Sequence, residues 1–143
     1  MKALSVKQPW AARIAEGRKT IEVRSKPTKY RGPLLICVSK TIDWDGMTRV
    51  GAGVHTSISL NARGRALCLV DLVDCQPMRR LDEGAAMVPW REGAFAWKLA
   101  NPRPVRAVPI RGQLGIFNVD AADLAQGIKC PQEGYVFGGG EKC

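Results

Sequence analysis

Residues 8–24, with the sequence QPWAARIAEGRKTIEVR, constrain the fold of this chain more than any other stretch. Val6, Trp10 and Ile14 recur every four residues, which predicts that they share one face of a short helix. Gly17 suits the position just beyond that helix, where a left-handed backbone favours glycine. The residues after it alternate between apolar and polar, so we expect the helix to lead directly into a strand.

The polar side of this strand is the first candidate for a functional site. Ile21 and Val23 should point to the core, because successive side chains of a strand face opposite ways. The side chains expected on the other face are Thr20, Glu22 and Arg24, with Lys19 at the junction with the helix. A solvated face with weak ion pairs is the simplest interpretation of such a pattern. A polar site held on rigid elements is the alternative.

Residues 17–24 also match the pattern G-x-K-x-x-E-x-R, and in this the chain resembles the ASCH domain family (activating-signal-cointegrator homology). Further similar segments follow in the family's order at residues 5–11, 30–36, 95–97 and 111–117. The resemblance implies an α+β fold, a PUA-like small mixed or antiparallel β-barrel with flanking helices. It places a cleft between the first helix and the barrel. The ASCH domain would span residues 1–120, and residues 121–143 would form a partly ordered C-terminal extension.

The resemblance further implies a role with RNA or nucleosides, and it leaves the question of catalysis open. Some members are implicated in hydrolysing the acetyl amide of N4-acetylcytidine, others in RNA cleavage or in binding nucleic acid without chemistry. For an amidohydrolase, Lys19 would be the nucleophile or general base and Thr20 would orient water or substrate. The family members that resemble deacetylases have a residue with a hydroxyl group at the position that Glu22 occupies here. The alternatives are a non-catalytic module for RNA or single-stranded nucleic acid, and a metal-independent ribonuclease.

Asp71 is a second candidate acid, because it interrupts an apolar face of the strand predicted for residues 65–75. A carboxylate in such a place needs a partner or a raised pKa. We weigh two hypotheses, a salt bridge to an arginine and a carboxylate that reaches the cleft of Lys19. Asp74 is the rival candidate on the same strand.

The net charge of +9 is concentrated near the N-terminus. Residues 1–31 carry nine Lys or Arg and two Glu, a balance of +7, whereas residues 32–143 carry only +2. A localised basic patch is the electrostatic signature of phosphate binding. The side chains expected to form a positive rim around the cleft with Arg24 are Lys7, Arg13, Arg18 and Lys29. Trp10 or Tyr30 would stack on a base.

Metal and cofactor sites are not predicted. The five cysteines contain no C-x-x-C pair, and the one histidine, His55, is expected in a surface loop. We therefore expect no cofactor and no metal, and the chain has no apolar run long enough for a membrane span. Without the apolar core of a signal peptide, a cytoplasmic location is expected. For residues 40–62 we expect a short helix or two and a mobile loop over the cleft, where Arg49, His55, Thr56 and Ser57 are ligand candidates. The oligomeric state stays open.

Overall fold

The computed structural model describes residues 1–50 and 62–124. Along these residues run the strands β1 (Lys2–Gln8), β2 (Ile21–Arg24), β3 (Gly32–Ile42), β4 (Ala66–Pro77), β5 (Phe95–Pro104) and β6 (Ile116–Asn118). The helices are α1 (Trp10–Ala15), α2 (Trp44–Val50), α3 (Glu83–Ala86) and α4 (Ala121–Leu124), with a 3-10 turn at Arg80–Asp82. Of these helices, none has the length and apolar run needed to cross a lipid bilayer.

All six strands form one sheet in the order β2-β5-β4-β3-β1-β6. β1 and β3 are parallel and every other neighbouring pair is antiparallel, so the sheet is mixed. The predicted α+β class is confirmed. The barrel is only loosely formed, because β2 and β6 do not pair with each other in the part of the chain described.

The start of the chain differs from the prediction. Residues 2–8 form a strand, so Val6 belongs to β1 and the helix face begins only at Trp10. A spacing of four fits a helix turn, but it is also an even number and fits one side of a strand equally well. The end of the helix is as predicted, because Gly17 follows it with φ +76°.

The core lies on both sides of β3, which is buried from Leu34 to Val38. Ile14 of α1 and Trp97 of β5 belong to the larger of the two clusters that flank it. Phe117 of β6 packs into the other. Residues 34–38 are thus buried on both faces of the strand, and the packing of Ile14 fixes α1 beside the sheet.

Candidate nucleotide-binding cavity

A cavity of about 1080 Å³ opens beside β1, α1 and β2. The end of β3, the start of α2 and two connecting segments, residues 88–91 and 111–115, complete its walls. These elements lie far apart in the sequence. Although β2 and β1 belong to opposite halves of the sheet, they approach each other here, and Nη2 of Arg24 in β2 donates to the carbonyl oxygen of Ser5 in β1.

Lys19 lies at the floor of this cavity. The chain turns tightly after α1, since the backbone N–H groups of Arg18 and Lys19 both donate to the carbonyl oxygen of Arg13. Only 1% of the Lys19 side chain is exposed. Its Nζ donates to the carbonyl oxygen of Ala86. It also lies 3.9 Å from Oε1 of Glu22.

The surroundings of Lys19 lower the pKa of its amine. Burial is the largest cause, because it disfavours the charged form, and the positive charge of Arg24 acts in the same direction. The negative charge of Glu22 opposes both. The amine therefore deprotonates more readily than an exposed lysine.

Glu22 connects the two cations of the site. Its Oε1 accepts a hydrogen bond from the backbone N–H of Val23 at 3.1 Å. Its Oε2 accepts one from Nη2 of Arg24 at 3.2 Å. The same Nη2 donates to the carbonyl oxygen of Ser5 at 2.8 Å. The side chains of Lys19 and Arg24 thus share one carboxylate.

Trp10 covers Lys19 and offers little surface of its own. The residue is 7% exposed, and Nζ of Lys19 lies 5.1 Å from the centre of its ring. Its Nε1 donates to Oδ2 of Asp43 at 2.8 Å. Trp10 therefore forms a wall of the cavity, and its predicted role as a stacking platform for a base has little exposed ring to support it.

The structure brings together only part of the predicted site. The predicted residues that line the cavity are Lys7, Trp10, Lys19, Glu22, Arg24 and Arg49. Thr20 is exposed and lies outside it, on a separate pocket of about 80 Å³. Its backbone N–H and C=O bind Ala85 and Leu99, which fixes the entry into β2. A catalytic role of Thr20 in the cavity is thus not supported by its position.

Asp71 does not reach the cleft of Lys19 either. Its Oδ1 accepts from Nη2 of Arg103 at 3.0 Å, and its Oδ2 from Nδ2 of Asn101 at 3.3 Å. The hydrogen bond from Arg103 is the main cause of a lowered pKa of this carboxyl. Asp74 is also outside the cavity, where it pairs with Arg31 and Lys98. The salt-bridge hypothesis therefore describes Asp71.

Four further predicted binding residues do not line the cavity. Arg13 is buried in α1 and pairs with Glu16, so it cannot belong to an exposed rim. Arg18 is exposed and lies 3.5 Å from the same carboxylate. Tyr30 donates its hydroxyl to the carbonyl oxygen of Pro33, and Lys29 is exposed on the same connection.

The structure adds cations that the sequence did not assign to the site. Lys40, Arg91 and Arg111 are exposed and line the cavity beside Arg49, which is one of the ligand candidates predicted within residues 40–62. The described lining thus has seven Lys or Arg side chains and two acidic ones, Glu22 and Asp43. Of Lys40, Arg91 and Arg111, only Arg111 lies in a segment that carries the family resemblance, so only this residue could have been found from the sequence. His55, Thr56 and Ser57 lie outside the described residues.

Metal ligands are not gathered at this cavity. Within residues 1–50 and 62–124, no group of three His, Cys, Asp or Glu side chains could hold a metal ion. The chemistry available on the described walls is that of an amine, a carboxylate and several guanidinium groups.

The chain is similar to known proteins in both sequence and structure. A family model described as ASCH domain matches residues 4–109. The crystal structure of ASCH from Zymomonas mobilis is similar with a TM-score of 0.60 at 11% identity, covering 87% of this chain and 91% of that one. A tyrosine-to-phenylalanine mutant of that protein gives a TM-score of 0.57 at 11% identity, with 87% and 94% covered. A serine-to-alanine mutant gives 0.56 at 10%, with 87% and 92% covered. At these low identities, the TM-scores show a shared fold. No curated protein matches the chain.

Proposed function

Because the chain belongs to the ASCH domain family, which is known for RNA binding, we propose that the cavity beside Lys19 binds single-stranded RNA or a nucleotide. The observation that carries this proposal is the charge of the cavity, with seven basic and two acidic side chains on its described walls. A surface of this kind attracts phosphates and releases their counterions on binding.

The walls divide by burial into two kinds of surface. Lys40, Arg49 and Arg111 are exposed, and such cations suit phosphates that keep part of their hydration. Lys19 and Glu22 are buried, and a carboxylate there can accept a hydrogen bond from the amino group of a cytosine. We propose that the phosphates contact the exposed cations and that the base points towards Glu22.

The proposal is tested by the salt dependence of binding to a short labelled RNA. We expect the affinity of the wild type to fall as salt rises, because each neutralised phosphate releases a counterion. Arg111→Glu should weaken binding at least tenfold and reduce the salt dependence by about one phosphate contact. The matched control is Lys29→Glu, an equal charge reversal on an exposed residue outside the cavity. Equal losses for both variants would contradict a site in the cavity.

A second function, hydrolysis of the amide of an N4-acetylcytidine-type nucleoside, is favoured by the environment of Lys19. The pKa of its amine is lowered, and a carboxylate lies 3.9 Å away. As a base, a neutral amine can take a proton from water while the hydroxide adds to the acetyl carbon; the bond from that carbon to N4 then breaks, and the proton passes to N4, which releases cytidine and acetate. As a nucleophile, the amine would take the acetyl group onto Nζ while N4 leaves with a proton, and water would then cleave the new amide to give acetate. Thr20 has no part in this proposal, because it lies outside the cavity.

Product analysis separates these functions. The protein is incubated with N4-acetylcytidine and with short RNAs, and the products are resolved by chromatography. Cytidine and acetate would support the hydrolase, shortened RNA would support a ribonuclease, and unchanged substrates with retained affinity would leave a binding module. Lys19→Arg should abolish amide hydrolysis, because a guanidinium does not deprotonate near neutral pH.

A further inference from the structure

We propose that Asp43 is a positioning residue of the cavity, which holds Trp10 over Lys19 and thereby keeps water from the amine. This inference rests on the proposed function of the cavity, but its primary test does not need a ligand. Asp43 lies between β3 and α2, on the side of Trp10 where the indole nitrogen points.

Asp43 is held by four hydrogen bonds, of which two use its carboxylate and one joins its carbonyl oxygen to the backbone N–H of Met47 at 2.9 Å. Oδ2 accepts from Nε1 of Trp10 at 2.8 Å, and Oδ1 accepts from the backbone N–H of Gly46 at 2.9 Å. Its own backbone N–H donates to the carbonyl oxygen of Gln8 at 2.9 Å. The residue therefore joins the start of α2 to the turn that precedes α1.

Gly46 shows how closely α2 lies against the indole ring. A Cβ atom on this residue would come within 2.7 Å of Cζ2 of Trp10 and 2.9 Å of Oδ2 of Asp43. Glycine inside a helix is less favourable than alanine, so its position needs a reason. The contact with Trp10 supplies that reason, because any side chain there would push the ring away.

The consequence for Lys19 follows from its burial. Its Nζ lies 5.1 Å from the centre of the Trp10 ring, and burial is the main cause of the lowered pKa of the amine. A ring released from Asp43 would let water approach and would restore hydration of the ammonium. Asp43 thus acts on the pKa of Lys19 indirectly. It holds Trp10 in place, and Trp10 covers the amine.

The charges around Asp43 support a fixed carboxylate. Burial opposes its ionised form, but hydrogen bonds from Gly46 and Trp10 lower the pKa of its carboxyl. The positive charges of Lys7 and Arg49 act in the same direction. The carboxylate is ionised near neutral pH and can accept both hydrogen bonds at once.

Asp43→Asn is the first test, because the amide nitrogen cannot replace an accepting oxygen. Asparagine can satisfy Gly46 or Trp10, but not both. The pKa of Lys19, followed by NMR at its Cε, should rise towards the ordinary value of 10.5. If the substitution acted only by removing the negative charge of Asp43, the pKa of Lys19 would fall instead. The direction of the shift therefore distinguishes a positioning role from a direct electrostatic effect. The indole Nε1–H of Trp10 should also exchange faster with solvent.

Asp45→Asn is the matched control, since Asp45 is an exposed residue of the same helix and the charge change is equal. It should leave the titration of Lys19 unchanged. Gly46→Ala perturbs the same contact without a change of charge, because the added methyl would crowd both the Trp10 ring and the Asp43 carboxylate, and it should raise the pKa of Lys19 as well. In a Trp10→Phe background, which lacks the indole N–H, Asp43→Asn should have no further effect.

RNA affinity gives a second readout. Asp43→Asn and Gly46→Ala should each weaken binding several-fold, whereas Asp45→Asn should not. If the wild type binds no RNA but the Lys19 titration responds as described, the proposed function fails and the positioning role stands. An unchanged Lys19 pKa in both Asp43→Asn and Gly46→Ala would overturn the inference.

Discussion

Nη2 of Arg24 donates a 2.8 Å hydrogen bond to the carbonyl oxygen of Ser5 and so connects β2 to β1 across the cavity. β2 is one end of the sheet, and β1 is the second strand from the other end. Within the described residues, no backbone pairing joins these two strands. A side-chain hydrogen bond connects them instead, whereas backbone hydrogen bonds connect neighbouring strands all around a closed barrel. The predicted site residue Arg24 is therefore also a structural contact between the halves of the sheet.

Arg24→Ala should weaken both stability and binding. The hydrogen bonds to Ser5 and Glu22 involve a charged donor, and their loss should cost about 1 to 3 kcal/mol in the free energy of unfolding. Urea denaturation measures this change. Lys26→Ala, an exposed residue just beyond β2, is the control and should change stability by less than about 0.5 kcal/mol. Equal values for both variants would show that the contact with Ser5 contributes nothing.

The lowered pKa of Lys19 predicts a dependence of stability on pH. The unfolded chain binds a proton at this amine up to about its ordinary pKa of 10.5, whereas the folded chain releases it at lower pH. The unfolded state therefore binds more protons in that window, and the stability of the wild type should rise as the pH approaches 10.5.

Lys19→Met isolates this effect, because it keeps the aliphatic stem and removes the titrating group. The variant should gain most relative to the wild type at neutral pH, and its advantage should shrink as the pH rises towards 10.5. Chemical denaturation of both proteins at a series of pH values gives the difference. A difference that is constant with pH would contradict a depressed pKa of Lys19.

Glu22→Gln should move the pKa of Lys19 further down, because the nearby negative charge favours the ammonium. NMR titration at the Cε of Lys19 measures the shift directly. If the protein hydrolyses an amide, the pH optimum should move in the same direction. The control is Glu92→Gln, which removes an equal charge from an exposed residue outside the cavity and should leave the titration unchanged.

The end of α1 and the strand β2 could be predicted from the sequence better than the set of basic residues that line the cavity. Alternation after Gly17 correctly indicated a strand, because that pattern depends only on local backbone geometry. Which basic residues reach the cavity depends on how distant elements pack. Lys40 and Arg111 are 71 residues apart in sequence yet line one cavity, and no local pattern contains that information.

Asp71 and Arg13 show the same limit from the other side. The interrupted apolar face of β4 indicated that Asp71 needs a partner, but not that the partner is Arg103 of β5. Arg13 was assigned to the basic rim from its charge alone. Its helix position turns it inward, where it pairs with Glu16 of the following turn.

Arg13 gives the last prediction, because its burial changes the outcome expected from charge reversal. Its side chain is 2% exposed and pairs with Glu16, and within residues 1–50 and 62–124 its Nη2 has no hydrogen-bond partner. Arg13→Glu would place two carboxylates side by side in a buried position, and it should cost about 3 to 5 kcal/mol in the free energy of unfolding. Arg13→Leu removes only the charge of Arg13 and leaves Glu16 with Arg18 at 3.5 Å, so it should cost less than placing a second carboxylate beside Glu16. Thermal unfolding of the two variants makes the comparison, and the exposed Arg18→Glu serves as the control for net charge. If Arg13→Glu were as stable as Arg18→Glu, the side chain of Arg13 would be accessible to solvent, and it would return to the set of cations available for phosphate.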